Sequence, residues 1–159
     1  ELGVTSFDST SPFMKGLKDD KLNYHTLTTA NYTSIGVPQV ESNPSLKKMV
    51  SSGQVDQNKA LILEKECLRL LIKYDKGLVD LPIVLETLCK YEKIYNLKKS
   101  RRDSFEKALN DMPWKDCECD ICKKIGIHVL LKRAAQRYRR RGFHNLYVSY
   151  QKLQLELNK

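Results

Sequence analysis

Three cysteines crowd into six positions, Cys117-Glu118-Cys119-Asp120-Ile121-Cys122, and His144 follows after 21 intervening residues. Three thiolates and one imidazole are the donor set of a tetrahedral structural zinc ion (Zn2+). Cysteines on a tight turn can converge on one metal because each has a single rotatable bond before its sulfur, whereas the fourth ligand must be delivered by the returning chain. His144 is placed to do that, and His128, on an apolar run nearer the cysteines, is the competing candidate. Four protein ligands leave no position for a substrate or an activated water, so such a metal would hold a fold together and any catalysis must come from elsewhere. Cys67 and Cys89 lie beside leucines in helical stretches and read as small buried hydrophobes. With an odd total of five cysteines, a disulfide framework is not expected.

A second group of residues suits polyanions. Lys132-Arg133-Ala134-Ala135-Gln136-Arg137-Tyr138-Arg139-Arg140-Arg141 carries six cations and no acid. If helical, it would place Arg133, Arg137 and Arg140 or Arg141 on one face, because residues three and four apart are neighbours. Guanidinium forks match phosphate oxygens, so this ridge would position a nucleic-acid backbone without reading its sequence. A solvated charged face is the plainer alternative.

Asp8, in Ser6-Phe7-Asp8-Ser9-Thr10-Ser11-Pro12, is the third candidate. A carboxylate at the end of a buried strand sits where α/β barrels place catalytic groups. By spacing alone it is equally a turn or cap, since aspartate before Ser, Thr and Pro is common there.

The elements that must carry these groups are mostly helical. Leu2 to Phe7 and Tyr32 to Val37 have the short, β-branched pattern of strands, the second ended by Pro38 and expected at an edge or in a hairpin. Asn43-Pro44 gives an N-cap and a proline at the first helical position, opening a helix through Val50. From Asp56 to Tyr74 the positions Ala60, Leu61, Leu63, Cys67, Leu68, Leu71 and Tyr74 have helical spacing, with Glu64, Lys65 and Glu66 as a polar break, and Gly77 closes the helix. Asp80 and Pro82 start another helix with Val84, Leu85, Leu88, Tyr91 and Tyr95 as its stripe, and a shorter one spans Ser104 to Asn110 before Pro113. Residues 127–131 could be strand or helix. A last helix is expected from about Asn145, with Leu146, Tyr150, Leu153 and Leu157 on one face. The resulting layout is 1–42 with Asp8, a helical block over 43–112, and a basic zinc-binding unit over 113–159.

Composition bounds the partners. The chain has 159 residues and a formal net charge of +9, and from Pro113 onward 11 Lys and Arg face only four Asp and Glu. Charge concentrated in this way attracts nucleic acid, since each neutralised phosphate releases counterions. No stretch approaches a membrane span and no signal peptide opens the chain, so the cytoplasm is the expected location and a membrane partner is not. A start at Glu1 rather than methionine leads us to expect a piece of something longer.

Taken in order, Phe-Asp-x-x-x-Pro at Phe7 to Pro12, Cys-x-Cys-x-x-Cys at Cys117 to Cys122, and His144-Asn145 leading into a helix with Tyr150, Gln151 and Leu153 resemble the C-terminal part of the tRNA-guanine transglycosylase superfamily. The resemblance implies an α/β fold: a TIM barrel with a zinc-bearing subdomain, of which this chain would supply a late barrel strand, a mainly helical insertion and the zinc unit. A whole barrel needs roughly 200 residues or more, so an N-terminal barrel part, on the same or another chain, is an implied partner. The family's nucleophilic aspartate falls on Asp8 and its zinc ligands on Cys117, Cys119, Cys122 and His144.

Two departures bear on the substrate. Transglycosylases acting on tRNA carry arginines shortly after the motif proline, where this chain has Phe13-Met14-Lys15-Gly16-Leu17-Lys18, leaving Lys15 and Lys18 at shifted positions. The separation from Asp8 to Cys117 is also much longer than in the bacterial tRNA enzymes. Both features look more like the DNA-guanine transglycosylases, which place 7-deazaguanine bases in DNA. The reaction implied is base exchange: a carboxylate attacks C1′ of a guanine nucleotide, guanine leaves, and a 7-deazaguanine base such as the 7-cyano form attacks the covalent glycosyl-enzyme. The implied contacts to nucleic acid are Lys15, Lys18, Lys132, Arg133, Arg137, Arg139, Arg140 and Arg141. The alternatives are the same exchange on tRNA, and a non-catalytic zinc-stabilised nucleic-acid-binding module.

Overall fold

The computed structural model describes residues 10–18, 21–96, 100–134 and 138–158, the side chains of Lys18 and Tyr138 excepted. The strand expected over Leu2 to Phe7, with Asp8, lies outside the described residues, as does Arg137. In chain order the elements are α1 (Ser11–Lys18), β1 (Ile35–Gly36), α2 (Pro44–Ser51), α3 (Gln57–Asp75), α4 (Leu81–Tyr95), α5 (Arg102–Asp111), α6 (Asp120–Ile125), a 3-10 turn (Gly126–Val129), β2 (Leu131–Lys132) and α7 (Tyr138–Leu157). The described chain is thus mainly helical, with two two-residue strands.

Local capping chemistry fixes the first of the middle helices. Asn43 Oδ1 accepts the Leu46 amide at 3.0 Å with Pro44 in the first turn, and Asp56 Oδ1 accepts the Lys59 amide at 3.0 Å. α3 packs on α4, and α4 on α5. The interior joins Ala60, Cys67, Leu71, Leu85, Leu88 and Phe105 to Tyr24, Ile35 and Leu46 on one side and to Ile127, Leu130 and Leu131 on the other. Cys67 behaves as the sequence suggests: it is buried, its thiol faces the Thr87 carbonyl at 3.6 Å, and burial pushes its pKa up to about 12, which leaves it an inert thiol.

The expected strand from Tyr32 to Val37 is divided between two partners. Tyr32 bridges Tyr24 in antiparallel fashion, and β1 then pairs in parallel with β2, Ile35 opposite Leu131 and Gly36 opposite Lys132. The ambiguous stretch 127–131 resolves into a 3-10 turn and a short strand. Gly126, at φ +52°, permits the turn between α6 and the 3-10 segment. A Cβ there would lie 2.3 Å from an oxygen of the Asp75 carboxylate, which accepts the Trp114 indole N–H at 2.6 Å and the Ile127 amide at 3.2 Å. Asp75 thereby ties the end of α3 to the segments that flank the cysteines.

Two expectations about side chains are corrected. Glu64, read as part of a polar break, is buried: it accepts the Val40 amide at 2.9 Å and pairs with Arg133. A buried carboxylate needs such compensation, and it comes from a residue 69 positions away. The last helix begins at Tyr138, running through Gly142, and it buries Arg141, His144, Asn145 and Val148, while Tyr150 and Leu157 are exposed. Those buried positions follow the i, i+3, i+4, i+7 pattern of one helix face. Gly142 does not break the helix; it lets α1 approach, since a Cβ there would lie 2.7 Å from the Phe13 ring, and a Cβ on Gly16 would lie 2.8 Å from the Gly142 backbone.

Candidate metal centre

Cys119 caps the short helix α6, its sulfur accepting the Cys122 amide at 3.3 Å. That turn brings Cys117, Cys119 and Cys122 round one point, and α7 delivers His144 to it from across the fold. The three sulfurs lie 3.5, 3.4 and 3.4 Å from His144 Nδ1, and all four donor atoms fall within 4.8 Å of one another. A tetrahedral ion with bonds of about 2.3 Å to sulfur and 2.0–2.1 Å to nitrogen has sulfur-to-nitrogen edges of about 3.5 Å. The cluster therefore has the dimensions of a Cys3His metal site compatible with structural zinc. His128, the rival ligand, is half-buried in the 3-10 turn and does not join the cluster.

The tautomer of His144 follows from its other nitrogen. Nε2 lies 2.8 Å from the His25 carbonyl, which can only accept, so Nε2 carries the proton and the lone pair of Nδ1 faces the sulfurs. Tyr24 stacks on the imidazole at 4.0 Å and 11°, and its hydroxyl stands 3.3 Å from both the Pro113 carbonyl and the Cys122 sulfur. Burial first, and the Cys122 charge second, raise the Tyr24 pKa well above its ordinary value, so the phenol stays protonated and can donate to a thiolate. Hydrogen bonds from Cys117 and Cys122 pull Cys119 strongly down, while contacts with Cys117 and Cys119 push Cys122 up. Burial disfavours the charged imidazole of His144, yet hydrogen bonds to Cys117, Cys119 and His25 outweigh it and raise its pKa to about 9. A metal bound at such a cluster would displace the protons of the thiols.

Behind the ligands stands Asn145, with no solvent-exposed surface. Its Oδ1 accepts the His25 amide at 3.1 Å, and its Nδ2 donates to the Pro12 and Asn23 carbonyls at 3.2 and 3.0 Å. His144 and Asn145 together hold the 23–25 segment against α7 and reach the first turn of α1, whose Pro12 closes the Phe-Asp-x-x-x-Pro motif. Tyr24 and His25 escaped the sequence reading; the only available signal was the pairing of Asn145 with a ligand histidine, which a side chain so placed tends to support through a neighbouring segment.

The basic residues separate. Lys15 is exposed on α1, Lys18 ends that helix, and Arg139 and Arg140 are exposed in the first turn of α7. Lys132 is half-buried on β2, where burial and the nearby Arg141 lower its pKa. Arg133 lies outside α7 and is engaged by Glu64, and Arg141 is 1% exposed with its Nε donating to the Gly16 carbonyl at 3.0 Å. Arg133 and Arg141 therefore serve interior contacts here, and the single helical ridge from Arg133 to Arg141 does not form among the described residues.

The described fold is mainly helical and is built around a Cys3His cluster that could hold a metal ion, and no described helix is long and apolar enough to cross a membrane. No protein-family model matches the chain. The chain is, however, 45% identical over 160 aligned residues, 99% of its length, to a DNA-guanine transglycosylase of Salmonella montevideo. It spans 38% of that relative's length. The likeness to guanine transglycosylases carried by the motifs thus extends over practically the whole chain, and the relative is of the DNA type toward which the two departures point.

Proposed function

We propose that this chain is part of a guanine transglycosylase that exchanges guanine in DNA for a 7-deazaguanine base. The likeness to the DNA-guanine transglycosylase, sustained over 99% of the chain, is the observation that carries the reading. The remainder of such an enzyme would supply the TIM barrel, the base pocket and the general base, with 1–42 bearing the nucleophile loop, 43–112 the helical block and 113–159 the zinc unit.

In this reading the Asp8 carboxylate attacks C1′ of the target nucleotide. The bond from C1′ to guanine N9 breaks, and guanine departs as its anion or after protonation. The N9 of the incoming base, giving up its proton to the general base supplied by the remainder of the enzyme, then attacks C1′ and displaces the aspartyl oxygen as a carboxylate. Two displacements replace one difficult substitution. The target nucleotide must leave the stack first, at a cost of a few kcal/mol in a duplex. Zinc held by Cys117, Cys119, Cys122 and His144 would have a structural role, because the four ligands fill its coordination sphere. Besides the nucleophile, the chain contributes positioning: through Pro12, Asn145 fixes the helix that follows the nucleophile loop. Lys15, Arg139 and Arg140 offer exposed charge to the phosphates. Cations in the first turn of a helix oppose its macrodipole, a cost that a bound phosphate would offset.

The full-length protein that carries this chain is expected to incorporate labelled guanine into duplex DNA and not into tRNA. Incorporation into tRNA alone would move the substrate assignment to the tRNA branch. Tight DNA binding with no exchange into either polymer would leave the non-catalytic module.

A further inference from the structure

One side chain outside the ligand set, that of Tyr24, meets two of the four ligands. It is fully buried, and its backbone is fixed by hydrogen bonds of 2.9 Å exchanged with Tyr32 in both directions. Its ring lies flat on the His144 imidazole, and its hydroxyl reaches Cys122 Sγ. A buried phenol O–H needs a partner. Two acceptors compete for its one proton, the Pro113 carbonyl and the Cys122 sulfur, each at 3.3 Å.

The distances favour the sulfur. A hydroxyl that donates to oxygen sits about 2.5–3.0 Å away, so the Pro113 carbonyl is the lesser acceptor at this separation. Sulfur is the larger atom, and the Cys122 amide meets Cys119 Sγ at the same 3.3 Å. A metal-bound cysteine has given up its proton and can only accept, and an anionic acceptor makes the stronger hydrogen bond. The three sulfurs thus differ in their support. Cys119 accepts a backbone amide and Cys122 the phenol, whereas the half-buried Cys117 has no donor from outside the cluster among the described residues.

We propose that Tyr24 is a positioning residue of the metal centre: its hydroxyl donates to the Cys122 thiolate while its ring orients the His144 imidazole, so one side chain sets how firmly two ligands hold the ion. Tyr24→Phe keeps the stacked ring and removes only the hydroxyl. In the full-length protein loaded with cobalt(II) in place of zinc, losing that hydrogen bond raises the energy of the sulfur electrons. The sulfur-to-cobalt charge-transfer absorption is therefore expected to move to longer wavelength. Transfer of zinc to a competing chelator, at a temperature where both proteins are folded, should show about tenfold weaker binding. Tyr32→Phe loses a hydroxyl that donates to Asp111 at 2.8 Å and not to a ligand, so it should change neither readout. 3-Fluorotyrosine in place of Tyr24 keeps both acceptors and is the stronger donor, so its absorption should move to shorter wavelength. That variant decides the matter if Tyr24→Phe does not fold. An absorption superimposable on that of the parent in either folded variant would overturn the proposal. So would a lower melting temperature with unchanged absorption and zinc retention, the result expected if the hydroxyl served Pro113 alone, or a parent that takes up no cobalt. The inference rests on the cluster holding a metal and not on guanine exchange, so the two can fail separately.

Discussion

Replacing Cys119 with serine is expected to abolish stoichiometric zinc binding and to unfold the part of the chain built around α6 and α7. Cys119 is both a donor in the cluster and the N-cap that shapes the cysteine turn, and its sulfur accepts the Cys122 amide. Structural zinc sites are worth about 10–16 kcal/mol in small domains, as much as or more than the roughly 5–15 kcal/mol by which whole domains are stable. The connections that depend on the ion reach far along the chain, through His144 Nε2 to the His25 carbonyl and through Tyr24 to Pro113. Treatment with a strong chelator should produce the same loss, reversed by added zinc. Acid should favour release, because metal binding displaces protons from the thiols and the imidazole. Elemental analysis together with circular dichroism checks this; a Cys119→Ser protein that keeps one zinc per chain and its melting temperature would rule out the ligand set.

The second large effect is expected at Asn145, which binds no metal. Asn145→Ala takes away the partner of the His25 amide and of the Pro12 and Asn23 carbonyls, of which the Asn23 contact is buried and the other two are part-buried. Orphaned buried groups cost about 1–3 kcal/mol each, so the total should be about 3–5 kcal/mol and lower the melting temperature by about 10 °C. Asn145→Asp should not rescue it, since a carboxylate can accept from His25 but cannot donate to the two carbonyls. Zinc content should remain stoichiometric at temperatures where the protein is folded, which separates this variant from Cys119→Ser. Under those conditions guanine exchange should still fall about 100-fold, because displacing a reacting group by about 1 Å is enough for that and Pro12 lies four residues after Asp8. A folded Asn145→Ala protein with unchanged melting and turnover would show that this anchor does not matter.

What the sequence made legible was what local spacing decides. The Cys-x-Cys-x-x-Cys turn brings its thiols together whatever surrounds it, and the caps at Asn43 and Asp56 close hydrogen bonds only three residues long. The starts of α2 and α3 follow from such signals, and that of α4 from Pro82 in its first turn. The long-range pairs were not legible. Nothing near Glu64 announces Arg133, and nothing near Glu92, which lies on the face of the apolar stripe four residues after Leu88, announces the Arg101 side chain that neutralises it there. The run from Lys132 to Arg141 misled for a related reason: density of charge implies a surface, but two of its arginines are drawn inside. For Arg141 a signal did exist. Once His144 must face the interior as a ligand, a helix continuous through Gly142 turns Arg141 and Val148 the same way. Starting the last helix at about Asn145 hid this, whereas the helix runs from Tyr138 and Gly142 within it serves the close crossing of α1 and α7.

In the full-length protein, incubation with guanine-containing DNA in the absence of an incoming base should trap a covalent protein–DNA adduct, resolved by denaturing electrophoresis and placed on the Asp8 peptide by mass spectrometry. Asp8→Asn should form no adduct and exchange no labelled guanine, while binding DNA with an affinity close to that of the parent. An Asp8→Asn protein that still exchanges guanine would contradict the assignment of the nucleophile and, with it, the mechanism proposed for this chain.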